Sequence, residues 1–429
     1  MNKRNAVPNE RTRDRAALVN LVTRARRNED ADAVLDELAG LAEAAGAEVV
    51  LRVTQDRDRP DAKTLIGSGK ADQLAAACDE ADVSVIIVDN VVSPAQARNL
   101  EEACRRRVVD RTEVILDIFA HRARTHEGQL QVELAQLQYS LPRLTGANAE
   151  LSRLGGGIGT RGPGETKLET DRRRIRHRIS VLKAQISDVQ RRLGYLRARR
   201  KRTDVPTVAL VGYTNAGKTT LFNWLTGSDA VASNALFVTL DPLMRRMKLA
   251  DSRQILLADT VGFIDRLPHQ LVAAFHATLE EVAGADLLLH VMDASASDRD
   301  RRTAAVRSVL AEVGAELVPT IELFNKVDLL STAEREGLQA SHPEALWVSA
   351  LEQTGRTDVI DAIAKALAMT AERVHLQFDD RDEADRKLMA ELYRHANVIS
   401  HVTDADRVSI EADVPRRLLT RFSRAKVPA

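Results

Sequence analysis

The chain has 429 residues, 44% apolar and 29% charged, which suits a globular protein of two to four domains with room for real cores. Lysine plus arginine balances aspartate plus glutamate at 62 each, so overall charge points to no partner. Cys78 and Cys104 lie far apart and outside any C-x-x-C spacing, which argues against a disulfide framework or a zinc site and for a reducing cytoplasm. No apolar run approaches the roughly 18 residues of a membrane helix, and the charged segment Met1 to Arg15 lacks the apolar core of a secretory leader.

From about residue 16 to 111, helical patterns alternate with short β-rich runs at Ala47 to Val53, Val83 to Asp89 and Arg107 to Asp110, the signature of a small parallel α/β unit. Leu130, Leu134, Leu137, Leu141 and Leu144 then recur at spacings of four and three, the seam of a coiled-coil helix that Pro142 ends or kinks. A glycine-rich stretch from 146 to 164 forbids regular structure. Beyond it Ile175, Ile179, Leu182, Ile186, Val189, Leu193 and Leu196 restore the seam, so a second long helix can fold back on the first as a hairpin with a glycine-rich tip. Residues 161–202 hold fifteen Lys or Arg against four acidic residues. A solvated helix built for solubility more often mixes signs, whereas a one-signed face suits a polyanion.

From Val205 the pattern becomes βαβ, with apolar strands at Thr207 to Val211, Gln254 to Ala258, Asp286 to Met292, Val318 to Phe324 and Leu346 to Val348, hence a mostly parallel sheet covered by helices. Residues 373–429 read as strand, helix, two strands and a short helix, a small α+β appendix. The expected division is 1–111, 112–202, 203–372 and 373–429.

Gly212-Tyr213-Thr214-Asn215-Ala216-Gly217-Lys218-Thr219 fits G-x-x-x-x-G-K-[ST], whose backbone N–H groups and lysine cradle phosphates while the final hydroxyl holds Mg²⁺. The loop and the following Thr220 are candidate phosphate contacts. Asn325-Lys326-Val327-Asp328 follows a strand end, where an aspartate carboxylate can accept both N1–H and the exocyclic amine of guanine; adenine would leave Asp328 unpaired. Asp259-Thr260-Val261-Gly262 matches D-x-x-G, with Asp259 on Mg²⁺ through water and the Gly262 amide sensing the γ-phosphate. Thr239 is the candidate second Mg²⁺ hydroxyl beside Thr219, and Ser349-Ala350-Leu351 would give backbone donors to guanine O6. Together these motifs predict an α/β P-loop GTPase domain, with Lys218, Thr239 and Gly262 as its catalytic contacts.

Further residues carry a family resemblance. Arg111 to Phe119, the Gln129 to Arg143 helix, Gly162 to Glu169 and the segment Leu236 to Pro242, together with the nucleotide motifs, resemble the HflX family of ribosome-associated GTPases over roughly residues 45 to 370. Leu243-Met244 stand where that pattern would continue with threonines. The resemblance implies a large ribosomal subunit as partner and work in splitting or rescuing stalled ribosomes; the basic hairpin would supply the contacts to RNA phosphates, and a cytoplasmic monomer is expected. Phe263 occupies the place where many GTPases carry the glutamine that orients water, so slow intrinsic hydrolysis is expected. GTPases resembling this one use an asparagine at Asn215 to hold K⁺; turn geometry alone is the competing explanation for that residue.

Aromatic residues are only 3% of the chain, so backbone and shape recognition of RNA is expected over base stacking. A competing function, a GTP-gated scaffold for protein or peripheral membrane partners, lacks the exposed aromatic and apolar residues of an interfacial helix. Gly67-Ser68-Gly69-Lys70 lacks phosphate-loop spacing and reads as a loop and helix start. His121 and His126 have no ligand set around them, so no metal beyond Mg²⁺, with K⁺ at Asn215, is assigned.

Overall fold

The computed structural model describes residues 13–27, 29–145, 163–202, 205–232, 235–240, 242–249, 254–266, 281–369, 371–404, 407–415 and 418–425. The chain falls into two compact units, one of residues 1–185 with 268–274, the other of residues 186–267 with 275–429. No helix among the described residues is long and apolar enough to cross a membrane.

The first unit opens with a strand the β-rich runs did not include, β1 (Arg15–Val22). It is central in a parallel sheet ordered β2-β1-β3-β4, with β2 (Glu48–Asp56), β3 (Val85–Val88) and β4 (Arg107–Asp110). Ala16, Ala17, Leu18, Val19 and Leu21 are fully buried there, which is why the run is apolar on both faces. The connecting helices are α1 (Ala31–Ala44), α2 (Ser68–Glu80) and α3 (Pro94–Cys104).

Local chemistry sets the helix starts. The Asp30 carboxylate accepts from the backbone of Asp32 and Ala33, and Ser93 with Gln96 forms a capping box around Pro94. Gly67, at φ +80, precedes α2, so Gly67 to Lys70 is a loop and helix start. Cys78 and Cys104 are free and buried.

Asp110 caps α4 (Arg111–Arg122), and Thr125 caps α5 (His126–Ser140). This shortens the expected first hairpin arm: α5 stops at Ser140, and Leu141–Thr145 is a 3-10 turn around Pro142, whose ring and missing N–H oppose the α-helical ladder. The second arm, α6 (Pro163–Arg202), is continuous. It claims Pro163 and Gly164, which the sequence had placed in the glycine-rich loop; proline suits a first helical turn, where its N–H is not needed. The rest of that loop, 146–162, lies outside the described residues. On α6 the expected stripe is covered as far as residue 189, with Leu182 and Ile186 buried and Ile175, Ile179 and Val189 half-buried, while Arg173, Arg174, Arg176 and Arg178 are exposed; the side chains of Leu193 and Leu196 lie outside those described. Both guanidinium donors of Arg178 reach Glu133 on α5, at 2.7 Å each.

In the second unit six strands lie in the order β10-β9-β8-β5-β7-β6. These are β5 (Thr207–Val211), β6 (Leu243–Lys248), β7 (Gln254–Asp259), β8 (Leu287–Asp293), β9 (Thr320–Asn325) and β10 (Leu346–Trp347). All neighbours are parallel except β6 and β7. Thus Leu243-Met244 start an antiparallel edge strand. Helices α7 (Lys218–Thr226), α8 (Arg299–Glu312), α9 (Thr332–Ser341) and α10 (Arg356–Met369) accompany the sheet, and Leu221, Phe222 and Leu225 of α7 join its core.

The C-terminal part of this unit is an antiparallel sheet, β11 (Ala371–Asp379), β13 (Arg407–Pro415) and β12 (Asn397–Asp404), with α11 (Glu383–His395) between β11 and β12 in the chain. It has its own core of Val374, Leu376, Phe378, Leu392 and Phe422. The observed class is therefore the expected one: a mostly parallel P-loop sheet after an α/β region, followed by a small domain with an antiparallel sheet.

Candidate functional site

A cleft of about 610 Å³ opens beyond the carboxyl ends of β5, β7 and β9. This is where an open α/β sheet offers ligands the ends of its strands. Asn215, Gly217, Lys218, Thr219 and Thr220 line one end, with Asn325, Lys326, Asp328, Ala350 and Leu351 at the other. Thr239 and Gly262 line the same cleft, so motifs spread over some hundred and forty residues converge.

Two glycines are fixed by geometry. At Gly212 a Cβ would stand 2.2 Å from the Val291 carbonyl oxygen, and at Gly217, where φ is +88, one would stand 2.2 Å from Asn325 Nδ2. With Gly217 turned that way, α7 starts at Lys218 and its first N–H groups face the cleft, a ready anion site. Lys218 is 6% exposed, and its Nζ donates to the Gly212 carbonyl at 3.0 Å and the Tyr213 carbonyl at 2.8 Å. Burial pushes its pKa down to about 8, against the opposing pull of Asp259. A buried ammonium in that condition is suited to an anionic ligand.

Thr219 donates to Asp259 Oδ2 at 2.7 Å and Thr239 donates to the same oxygen at 3.0 Å, with the two hydroxyls 2.8 Å apart. Phe237 and Leu240, both buried, pin the chain on either side of Thr239. Asp259 is fully buried, which raises its pKa despite the hydrogen bonds it accepts, and its Oδ1 has no protein partner. Two hydroxyls around a carboxylate with an uncommitted buried oxygen form an all-oxygen set, which fits Mg²⁺. Thr219 and Thr239 would hold the ion with phosphate oxygens, Asp259 standing behind them, and the ion would neutralise phosphate charge.

At the other end, Asp328 Oδ1 is also buried without a partner, as an acceptor awaiting base donors would be. Lys326, at φ +66, turns its Nζ to Asp293 Oδ2 at 2.7 Å. Burial alone would raise the Asp293 carboxyl, but bonds from Lys326 and Ser295 bring it below its ordinary value. Asp293 was not among the sequence candidates; its place at the end of β8 was the available signal.

Asn325 has a different task from its neighbours. Its Nδ2 donates to the Ala216 carbonyl at 2.9 Å and its Oδ1 accepts from the Ala350 N–H at 3.0 Å, so the side chain ties the phosphate loop to the Ser349-Ala350-Leu351 loop. Ser349 is buried, with its hydroxyl accepting from the Glu352 N–H, while Leu351 is exposed at the cleft beside Leu329. The Tyr213 side chain lies elsewhere: its hydroxyl accepts from the Asp265 N–H, leaving only its backbone in the loop. Phe263 is 1% exposed and pairs through its backbone with Gly212 and Thr214, so its ring is core and stands away from the cleft lining. Asn215 is exposed at the cleft with φ +59, a left-handed turn that asparagine tolerates. Phe237 and Val238 also line the cleft; they lie in the Leu236 to Pro242 segment, of which sequence reasoning assigned a site role to Thr239 alone.

Three family models match the chain, described as GTP-binding GTPase N-terminal over residues 32–120, GTP-binding GTPase middle region over 122–200, and 50S ribosome-binding GTPase over 207–326. Among curated relatives, the GTPase HflX of Caldanaerobacter subterraneus subsp. tengcongensis is 43% identical across 96% of this chain and 94% of its own. That of Escherichia coli is 47% identical across 78% of this chain and 79% of its own. That of Lacrimispora saccharolytica is 51% identical across 70% and 71%.

Proposed function

Since the chain belongs to the HflX family of GTPases and hydrolyses GTP, we propose that it works as a GTP-gated protein on the large ribosomal subunit, splitting or rescuing stalled ribosomes. GTP would lie with its phosphates against residues 212–220 and its base against Asp328, with Lys326 and the Ser349 to Leu351 loop completing the base end. Lys218 would hold β- and γ-phosphate oxygens, and Thr219 and Thr239 would carry Mg²⁺. The Gly262 N–H would meet the γ-phosphate and so tie its presence to the segment that follows. Intrinsic turnover is slow on this reading, because the Phe263 ring offers water neither a donor nor an acceptor. K⁺ at Asn215 is part of the proposal; equal turnover in K⁺ and Na⁺ would remove it.

The working division is residues 1–111, 112–202, 203–372 and 373–429, in a cytoplasmic monomer. The observation that carries the ribosomal partner is α6, whose apolar stripe is covered while Arg173, Arg174, Arg176 and Arg178 stand in solvent. Such a face neutralises phosphates and binds in a salt-dependent way.

The test is sedimentation with large subunits in a non-hydrolysable GTP analogue across a salt titration, beside subunit profiles of whole ribosomes with GTP. Nucleotide-dependent pelleting that weakens with salt, and weakens again when the arginines of 172–178 are changed to glutamate, is the expected result. Pelleting indifferent to nucleotide would defeat the proposal.

A further inference from the structure

The loop residue Thr214 gives its backbone N–H to the Phe263 carbonyl. Its side chain is nevertheless unusual. The residue is 2% exposed, it lines the cleft, and its Oγ1 is buried without a hydrogen-bond partner. A buried hydroxyl left unmet costs folding free energy, and a valine of the same shape would avoid the cost. By contrast Thr219 and Thr239 are engaged with Asp259, and Thr260 with the Leu210 carbonyl at 2.6 Å.

The location narrows the ligand. A Cβ built on Gly262 would lie 2.9 Å from Thr214 Cα, 2.9 Å from Thr214 Cγ2 and 3.0 Å from Lys218 Nζ, so Thr214, the Gly262 backbone and the Lys218 ammonium meet at one corner of the cleft. The backbone there is held fast. Thr214 donates its N–H to the Phe263 carbonyl at 2.7 Å, and the Phe263 N–H returns a bond to the Gly212 carbonyl at 3.1 Å. With the Phe263 ring in the core, the residue after Gly262 sends no polar side chain toward this corner.

We propose that the Thr214 hydroxyl is a catalytic group that donates a hydrogen bond to a γ-phosphate oxygen of GTP, making it a reader of the triphosphate and a stabiliser of its hydrolysis. The inference rests on the nucleotide placement proposed above. In the reaction a water oxygen bonds to the γ-phosphorus while the bond from that phosphorus to the β–γ bridging oxygen breaks. The bridging oxygen keeps the electron pair and leaves as part of GDP, and both protons of the water end on the released phosphate. Negative charge sits on the γ oxygens, which a hydroxyl donor carried on a backbone fixed by the Phe263 pairing would stabilise.

The test uses the full chain and three readouts: GTP turnover, affinity for fluorescent GDP, and affinity for a non-hydrolysable GTP analogue. Thr214→Val removes the hydroxyl and keeps the shape; it is expected to lower kcat and analogue affinity about tenfold each while GDP affinity stays within about twofold, the scale of a hydrogen bond to a charged group. Thr214→Ser is expected to recover both losses. Thr214→Ala gives the same comparison if valine disturbs folding.

The inference is overturned if the hydroxyl-free variants keep wild-type kcat and analogue affinity. It is equally overturned if GDP and analogue weaken together and serine does not rescue them, for that is a packing role. Wild-type protein that binds neither guanine nucleotide would instead sink the nucleotide placement itself.

Discussion

Replacing Asn325 by alanine tests how the two ends of the cleft are held together. The change deletes a side chain that joins Ala216 to Ala350 and leaves the Ala216 carbonyl and the Ala350 N–H without that partner. Each unmet buried group costs about 1–3 kcal/mol, so the pair amounts to roughly 2–6 kcal/mol. That is a large share of the roughly 5–15 kcal/mol by which a domain is stable. Both tryptophans, Trp224 and Trp347, belong to the same unit, so intrinsic fluorescence during urea unfolding reads it selectively. Nucleotide-free Asn325→Ala should unfold at clearly lower urea and bind GDP more weakly. Asn325→Asp should do worse, since it sets a carboxylate oxygen against the Ala216 carbonyl. A wild-type unfolding midpoint would refute the bridge, and a lowered midpoint with unchanged GDP affinity would refute its coupling to the site.

Other outcomes follow from the same geometry. Gly217→Ala should abolish tight nucleotide binding, because the new methyl meets Asn325 Nδ2 at 2.2 Å in a left-handed backbone; tight GDP binding by that variant would contradict the site. Lys218 has a folded pKa of about 8 against an ordinary 10.5, so the unfolded chain binds more protons between these values. Stability without nucleotide should therefore rise with pH across that window, by at most roughly 3 kcal/mol, while nucleotide affinity falls above about pH 8; urea midpoints that are flat from pH 7 to 10 would contradict this. In the first unit, Arg111 reaches Glu37 and, at 3.1 Å, Asp89, with all three side chains buried, so Arg111→Met should cost about 3–5 kcal/mol in thermal or urea unfolding followed by circular dichroism. Arg178→Ala should leave the urea midpoint nearly unchanged, since its pair with Glu133 is open to solvent, yet weaken polyanion binding; the opposite pattern would make the basic face structural.

The strands of the nucleotide domain were legible because they are short apolar runs ended by motif residues, and the structure moves their limits by only a residue or two. β6 was not, since Arg245, Arg246 and Lys248 give an edge strand the look of a loop; only Met247 in it is buried. β1 escaped for the opposite reason, as Ala16 to Leu21 is apolar on both faces and carries neither the strand nor the helix period. The first hairpin arm was read too long because Leu141 and Leu144 keep a helical spacing inside a 3-10 turn, a distinction that periodicity cannot make. In the cleft, residue types revealed which groups could touch phosphate or base. They did not reveal the internal commitments: that the Asn325 amide is spent on two backbone groups, that Tyr213 turns to Asp265, or that Lys326 needs Asp293. Those depend on strands distant in sequence being neighbours in the sheet.

The antiparallel pairing of β6 with β7 has a kinetic meaning. Its rungs run from Lys248 opposite Gln254 to Leu243 opposite Asp259, the acid that Thr219 and Thr239 share. The hairpin is thus a zipper whose open end lies at the phosphates. The expected outcome of removing nucleotide is a gradient of amide exchange along β6, faster at Leu243 than at Lys248; uniform exchange along the strand would contradict it. On that outcome the strand would report occupancy of a small site as a length of exchanging backbone.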